Sequence, residues 1–131
     1  MQGLLFSILI LASCSREETV DRLSLLATAK KADPTFSIVL AEKIGAGPTC
    51  ESDSPKTAYG VGCLKVFRAK VKNIEFAFVE FDNAVNAKNE AGRLNQWYYK
   101  NWVIDEVTSE PPLEQFVKSA FNAVNPREIK P

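Results

Sequence analysis

The sequence predicts one α+β domain, in which three helices pack against an antiparallel sheet of about four strands. The 131 residues are 46% hydrophobic, which suits a single core of ordinary size. Apolar residues alternate with polar ones in the middle of the chain and recur every three or four residues on both sides of it. Only two residues separate the two middle segments, which favours a hairpin and therefore antiparallel pairing. The predicted order over residues 20–131 is α-β-β-β-α-β-α.

The first helix is predicted to start at Thr19, with Thr19 or Asp21 as its cap. Asp33-Pro34 ends it, because the residue before a proline disfavours helical geometry. One side of this helix is expected to carry Val20, Leu23, Leu26, Ala27 and Lys30. A strand follows over residues 36–41, before the glycine-rich segment 45–48.

The central hairpin is predicted from two alternating segments, residues 64–71 and residues 74–81. Lys72-Asn73 forms the turn, since asparagine tolerates positive φ. The second strand is apolar on both faces at its centre, which predicts a central place in the sheet.

The second helix is capped by Asp82 or Asn83 and is expected to continue to Tyr98 along an apolar face made of Ala84, Ala87, Ala91, Leu94 and Tyr98. Residues 102–107 form the last predicted strand. The last helix is opened by Pro111-Pro112 and closed by Asn125-Pro126. Its apolar face has helical spacing at Leu113, Phe116, Val117, Ala120, Phe121 and Val124.

Composition excludes several function classes. Sixteen basic residues balance sixteen acidic ones, which disfavours a nucleic-acid partner. The chain has no histidine, so Ser-His-Asp and Cys-His catalysis and histidine metal sites are excluded. Residues 76–95 resemble the strand and helix of an RNA recognition motif, but Asn73-Ile74-Glu75 replaces the basic-glycine start of that motif.

The first residues indicate export. Gly3 to Ala12 is nearly all apolar and uncharged, too short for a membrane-spanning helix and typical of a signal peptide. The alternative is a buried helix with Cys14 as a core thiol. No cap or polar face supports that alternative.

Leu11-Ala12-Ser13-Cys14 resembles a bacterial lipobox, in which an aliphatic residue and two small residues precede a cysteine. The resemblance implies that residues 1–13 are a cleaved signal peptide and that Cys14 carries lipid. Residues 14–19 are then a short tether at the periplasmic face of a membrane. Ser15, where an aspartate tends to retain such lipoproteins in the inner membrane, favours the outer membrane.

The cysteine count agrees with this interpretation. Lipidation of Cys14 leaves Cys50 and Cys63 as a pair, and an oxidising periplasm favours a disulfide between them. The loop that it would close is rich in Ser, Pro and Gly and has few core residues. Two unpaired thiols are the alternative.

The remaining motifs give little support for catalysis. Glu80 and Asp82 are explained by solvent exposure and capping, and Asp105-Glu106 would lie on opposite faces of a strand. The pairs of glycines at 45 and 47 and at 60 and 62 lack the third glycine of a dinucleotide loop. We therefore predict no catalytic residue, no cofactor and no metal.

An aromatic run offers the best predicted contact surface. Residues 97–99 turn by about 100° each on a helix, so they cannot all face the core. The surface for a protein or glycan partner is predicted to consist of Trp97, Tyr99, Lys100 and Trp102. The alternative is that these residues form the edge of the core, with their apolar parts buried and their polar atoms in water.

Together these observations predict a lipid-anchored envelope protein with a non-enzymatic domain that binds a partner close to the membrane. The alternatives are an inhibitor or immunity protein that inserts the 50–63 loop into a foreign active site, and a carboxylate-based hydrolase.

Overall fold

A five-stranded antiparallel sheet forms the centre of the part of the chain that the computed structural model describes, residues 19–39, 49–50 and 58–128. The elements in chain order are α1 (Arg22–Ala32), β1 (Ser37–Ile38), β2 (Cys63–Val71), β3 (Ile74–Phe81), α2 (Ala84–Leu94), β4 (Trp97–Tyr99), β5 (Trp102–Asp105), α3 (Pro111–Phe121) and a 3-10 turn (Pro126–Glu128). The predicted α+β class is confirmed, with five strands instead of about four. The signal peptide, Cys14 and most of the tether lie outside the described residues.

The sheet order is β1-β2-β3-β5-β4, which places β3 at the centre as predicted. Strands β2 and β3 form the expected hairpin, with Phe67 opposite Phe78. Lys72 and Asn73 both have positive φ, 52° and 66°. Two such residues match the twist of the flanking strands, so the turn fixes this register.

Helices α1 and α3 cover one face of the sheet. Phe76, Phe78, Trp102 and Ile104 point to this face and are completely buried. Phe78 and Trp102 meet edge-to-face with ring centroids 6.1 Å apart. The predicted face of α3 is confirmed for its buried residues Leu113, Phe116, Val117 and Phe121.

Helix α2 covers the other face. Asn83 is its cap, since its side chain accepts a hydrogen bond from the backbone N–H of Asn86. Ala87 and Ala91 are buried as predicted, and they belong to an apolar cluster with Tyr59, Val79, Phe81 and Val103. Small residues on α2 allow the helix to lie close to the strands.

The predicted side of α1 is only partly right, since Val20 and Leu26 pack against the core but Leu23 does not. Asp21 is the cap and the helix ends at Ala32, as expected, but Leu25 and Ala29 face the core while Leu23 is 79% exposed. Leucines at 23, 25 and 26 leave the direction of the apolar face ambiguous, so tertiary packing decides it.

The predicted extension of α2 to Tyr98 is also wrong. The helix ends at Leu94, because Asn95 adopts the left-handed conformation with φ 59°. Trp97–Tyr99 then form strand β4, paired with β5 through the turn at Lys100-Asn101. The helical spacing of Leu94 and Tyr98 is coincidental.

Cys50 and Cys63 form a disulfide, as the cysteine count predicted, with Cα atoms 5.4 Å apart. Residues 51–57 of the loop lie outside the described residues. The strand expected over residues 36–41 is shorter in the described chain, where β1 is Ser37–Ile38.

The start of α1 is fixed to one end of the sheet, which we call the N-terminal pole. It comprises residues 19–23, the start of β2, the end of β3, the start of α2 and the turn between β4 and β5. The backbone N–H of Val20 donates to Asn101 Oδ1 at 2.7 Å, and Trp102 Nε1 donates to the carbonyl of Val20 at 2.8 Å. The backbone N–H of Phe81 donates to the carbonyl of Asn101 at 2.8 Å. The point where the chain enters the domain is therefore rigidly held.

Candidate functional site

A polar pair formed by the buried Tyr59 and the partly buried Asp105 lies on the α2 face of the sheet. The Tyr59 hydroxyl donates to Asp105 Oδ2 at 2.5 Å. Asp105 ends β5 and lies opposite Ala77 on β3. The backbone N–H of Glu106 donates to the other carboxylate oxygen at 2.8 Å. Each oxygen of the Asp105 carboxylate therefore has a donor.

Burial raises the pKa of Asp105 above its ordinary value, whereas the hydrogen bonds from Tyr59 and Glu106 lower it. Burial also raises the pKa of Tyr59, and the negative charges of Asp105 and Glu106 raise it further. Tyr59 is therefore a neutral hydroxyl donor at any physiological pH.

Two ion pairs flank Tyr59 and Asp105. Arg93 donates from Nε and Nη2 to the carboxylate of Glu90, at 2.7 Å and 2.5 Å, and Glu90 is only 5% exposed. Arg68 donates to both carboxylate oxygens of Glu106, at 2.8 Å and 3.0 Å. Such two-point arginine–carboxylate contacts fix both side chains in position.

Glu106 reaches this cluster because of its backbone. Strand alternation predicts that Asp105 and Glu106 lie on opposite faces, but β5 ends at Asp105 and Glu106 has a positive φ of 68°. Both acidic side chains act on Tyr59, whose pKa both of them raise. The expectation of opposite faces is therefore wrong at this strand end.

A cleft of about 440 Å³ opens beside this cluster, between α2 and the segment that precedes β2. Its lining consists of Gly60, Val61, Asn86, Asn89, Glu90 and Arg93. Gly60 lies next to the carboxylate of Glu90. Its backbone N–H donates to Glu90 Oε2 at 2.8 Å, and a Cβ at this position would lie 2.8 Å from Glu90 Oε1. A larger residue here would displace the Glu90 carboxylate from its bonds to Gly60 and Arg93.

The cleft offers hydrogen-bond donors to a ligand. Asn86 donates from Nδ2 to Asp82 Oδ1, and Asn89 is exposed. Within the described chain, Arg93 Nη1 is left without an acceptor by the bonds to Glu90. An amide side chain and part of a guanidinium therefore line the cleft as donors suited to carbonyl or carboxylate oxygens.

The predicted aromatic surface is not formed by the tryptophans. Trp97 is 3% exposed and Trp102 is completely buried. Both residues are on strands, and their side chains point to the face that α1 and α3 cover. Tyr99 and Lys100 are partly exposed, but the Tyr99 ring packs on Phe121 at 5.0 Å. The two tryptophans therefore contribute no accessible surface, and a partner surface at Tyr99 and Lys100 stays a prediction.

The other predicted acidic pair does not form a site. Glu80 lies opposite Trp102 in the sheet and points to the α1 and α3 face. Asp82 follows the strand and accepts from Asn86. The two carboxylates thus serve different parts of the structure.

The sequence did not indicate Tyr59 or Glu90 as members of a cluster. One signal was present: Glu90 is a charged residue beside the apolar positions Ala87 and Ala91, with Arg93 one turn later. A buried charge with a partner at i+3 fits this pattern. Its contact to Gly60 joins residues 30 positions apart, which spacing cannot reveal.

Comparison with known proteins found no match: no family model, no curated protein and no solved structure is similar to this chain. In residues 19–39, 49–50 and 58–128, no helix has the length and apolar character needed to cross a membrane. The same residues contain no group of three Cys, Asp or Glu side chains able to hold a metal ion.

Proposed function

We propose that this protein is a bacterial envelope lipoprotein, anchored through Cys14, whose non-enzymatic domain binds a protein partner close to the membrane. The supporting observation is the fixed entry of the chain at the N-terminal pole. Val20 is bound on both sides, to Asn101 and Trp102, only six residues after Cys14. The outer membrane is favoured by Ser15.

The anchor would hold the domain against the bilayer. From Cys14 to Thr19 the chain spans five residues, which reach less than about 18 Å when fully extended. Two or three acyl chains anchor stably, whereas one acyl chain would be marginal. A partner must therefore meet the domain near the membrane surface.

The cleft beside α2 is the proposed partner surface, through Asn86, Asn89 and Arg93, in place of the aromatic run. Its asparagine and arginine side chains suit the backbone carbonyls or carboxylates of a polypeptide segment. A binding role is favoured over hydrolysis because the nearby carboxylates are held by internal partners, Glu106 by Arg68 and Asp105 by Tyr59. The inhibitor alternative depends on loop residues 51–57, which lie outside the described residues, and stays a prediction.

Intact mass of the protein purified from its own membrane tests the anchor. We expect loss of residues 1–13 and a gain in mass from acylation of Cys14. The Cys14→Ala variant should be released from the membrane by salt or carbonate washing. A full-length, unmodified wild-type chain would refute the anchor.

Cross-linking in the native envelope tests the cleft. Asn89→Arg adds a long cationic side chain at its mouth, and we expect it to reduce recovery of the cross-linked partner at least tenfold. Ala27→Arg is the matched control, because it adds the same side chain at an exposed position of α1, on the other face of the sheet. Equal recovery from both variants would reject the cleft as the partner surface.

A further inference from the structure

The exposed apolar side chains of the domain are concentrated at the N-terminal pole. The described chain has five large hydrophobic residues with substantial exposure, and four of them lie there: Leu23 at 79%, Val61 at 83%, Leu64 at 54% and Val85 at 67%. The fifth, Val124, is 37% exposed and pairs with Tyr98 beside the edge strand.

The topology brings these four residues to one end. Val61 lies in the turn before β2, closed by the bond from Cys63 N–H to the carbonyl of Gly60. Leu64 is the second residue of β2, at a register irregularity between Cys63 and Lys65. The start of β2 is next to the end of β3, since Asp82 N–H donates to the carbonyl of Gly62.

Val85 and Leu23 extend this surface on the two faces of the sheet. Val85 is in the first turn of α2, directly after the end of β3, and Leu23 is in the first turn of α1. Helical side chains tilt toward the N-terminus of their helix, so both point toward the pole. The opposite end of the sheet is different: its turns expose Lys72, Asn73, Glu106 and Ser109.

We infer that the N-terminal pole rests on the lipid surface to which the protein is anchored, with Leu23, Val61, Leu64 and Val85 inserted among the lipid headgroups. The inference rests on the proposed anchor at Cys14. The chain enters this same pole, so a lipid held by Cys14 would bring the apolar residues, and not the polar end, to the bilayer.

Charge favours insertion over electrostatic attachment. Asp21 and Asp82 offset Arg22 and Lys65 among the exposed residues of the pole. A surface with mixed charge has little attraction for anionic lipid. Burial of apolar area favours binding to the membrane at any salt concentration. Docking should therefore be insensitive to salt.

The orientation can be measured on the native lipoprotein, purified with its lipid and placed in vesicles of phosphatidylethanolamine and phosphatidylglycerol. A fraction of the lipids carries a spin label on the headgroup, and methyl NMR signals report proximity to it. We expect strong broadening for the methyl groups of Leu23, Val61, Leu64 and Val85. Ile74, at the opposite end of the sheet, should keep its signal. Equal broadening at both ends, or broadening confined to Ile74, would overturn the inference.

A variant tests the apolar contribution directly. Val61→Asn, Leu64→Asn and Val85→Asn together leave the core intact, because all three side chains are already exposed. For the chain without lipid on Cys14, we expect partition onto the same vesicles to fall at least tenfold, at low and at high salt. Val124→Asn, an exposed valine elsewhere, should leave partition unchanged. Equal partition of the triple variant and the wild type would contradict insertion.

These measurements separate the inference from the anchor. If intact mass shows no lipid but the unlipidated chain still binds vesicles through the pole, the anchor fails and only the contact between the pole and lipid stands. If the lipid is present but the pole stays free in pure lipid vesicles, the anchor stands and the inference fails. Broadening or protection of the pole only when envelope proteins are added would assign this surface to a protein partner instead.

Discussion

Two aspartates of this domain have pKa values that are shifted in opposite directions. Partial burial raises the pKa of Asp105, whereas hydrogen bonds from Lys72 and Thr35 lower the pKa of Asp33. Because the pKa of Asp105 is raised, this residue contributes to the free energy of unfolding at pH values below its ordinary pKa of 3.8. This contribution is lost as the pH rises through the pKa of Asp105 in the folded protein. The lowered pKa of Asp33 instead contributes stability above its ordinary pKa, and this contribution is lost as the pH falls.

Tyr59→Phe removes the hydroxyl that donates a hydrogen bond to Asp105. The partly buried carboxylate then lacks one donor, so we expect the free energy of unfolding to fall by about 1–3 kcal/mol. The pKa of Asp105 should rise further, because the hydroxyl lowers it. Urea unfolding and a carboxyl NMR titration measure the two effects. Tyr98→Phe is the control, since the described chain offers its hydroxyl no hydrogen-bond partner, and an equal loss in both variants would contradict the prediction.

Asp33 gives a second prediction, at acid pH. Hydrogen bonds from Lys72 Nζ at 2.5 Å and from Thr35 hold the pKa of Asp33 at about 2. Stability from this pair is complete above the ordinary pKa of 3.8 and is lost as pH falls through about 2. Lys72→Gln should move the carboxyl titration midpoint up toward 3.8, while Lys70→Gln should not. A midpoint that stays near 2 in Lys72→Gln would assign the shift to Thr35.

Among the secondary-structure elements, those with an unambiguous period were predictable. Strands β2 and β3 alternate in sequence and lie where their patterns place them. Helix α3 begins at Pro111 and buries its predicted face, but it ends at Phe121 instead of Asn125, because Asn122 is left-handed, and Val124 lies outside the helix. Helix α1 has adjacent leucines and no single apolar face, so its orientation depends on the sheet that it meets. The polar cluster could not be predicted, because Tyr59 and Asp105 are 46 positions apart and meet only after the sheet has formed.

Strand β4 was missed because one residue ends the preceding helix. Asn95 is left-handed, and its backbone N–H still bonds back into α2. Three aromatic residues follow, which favour a strand once the helix has stopped. The decisive signal was an asparagine after the last apolar helical residue, a known C-terminal cap.

Substitutions at Asn95 test this cap. The left-handed conformation costs a residue with a Cβ about 1–2 kcal/mol, whereas glycine adopts it without this cost. Asn95→Gly should therefore be about 1 kcal/mol more stable than Asn95→Ala in urea unfolding. Both variants lose the bond from Asn125 Nδ2 to Asn95 Oδ1, so their difference isolates the backbone. An alanine variant as stable as the glycine variant would show that the conformation at residue 95 does not end α2.

At the scale of the whole molecule, the two ends of the sheet have different chemistry. The N-terminal pole combines chain entry, the disulfide at Cys63 and the exposed apolar residues, whereas the other end has polar turns. The sequence alone indicated the disulfide through its cysteine count and the anchor through residues 11–14. It could not indicate the pole, because Leu23, Val61 and Val85 reach the same end of the sheet only through the fold.

The disulfide should stabilise the domain mainly by restricting the unfolded chain. Cys50 and Cys63 are 13 positions apart, and closing a loop of this length is worth about 3 kcal/mol in the chain-entropy model. Cys50→Ser with Cys63→Ser should lower the free energy of unfolding in urea by about this amount, and reduction of the wild type should give the same loss. Reductant should leave the double variant unchanged. Since Cys63 begins β2 at the N-terminal pole, a loss well below 1 kcal/mol would mean that the hairpin and the bond from Asp82 to Gly62 hold this end without the cross-link.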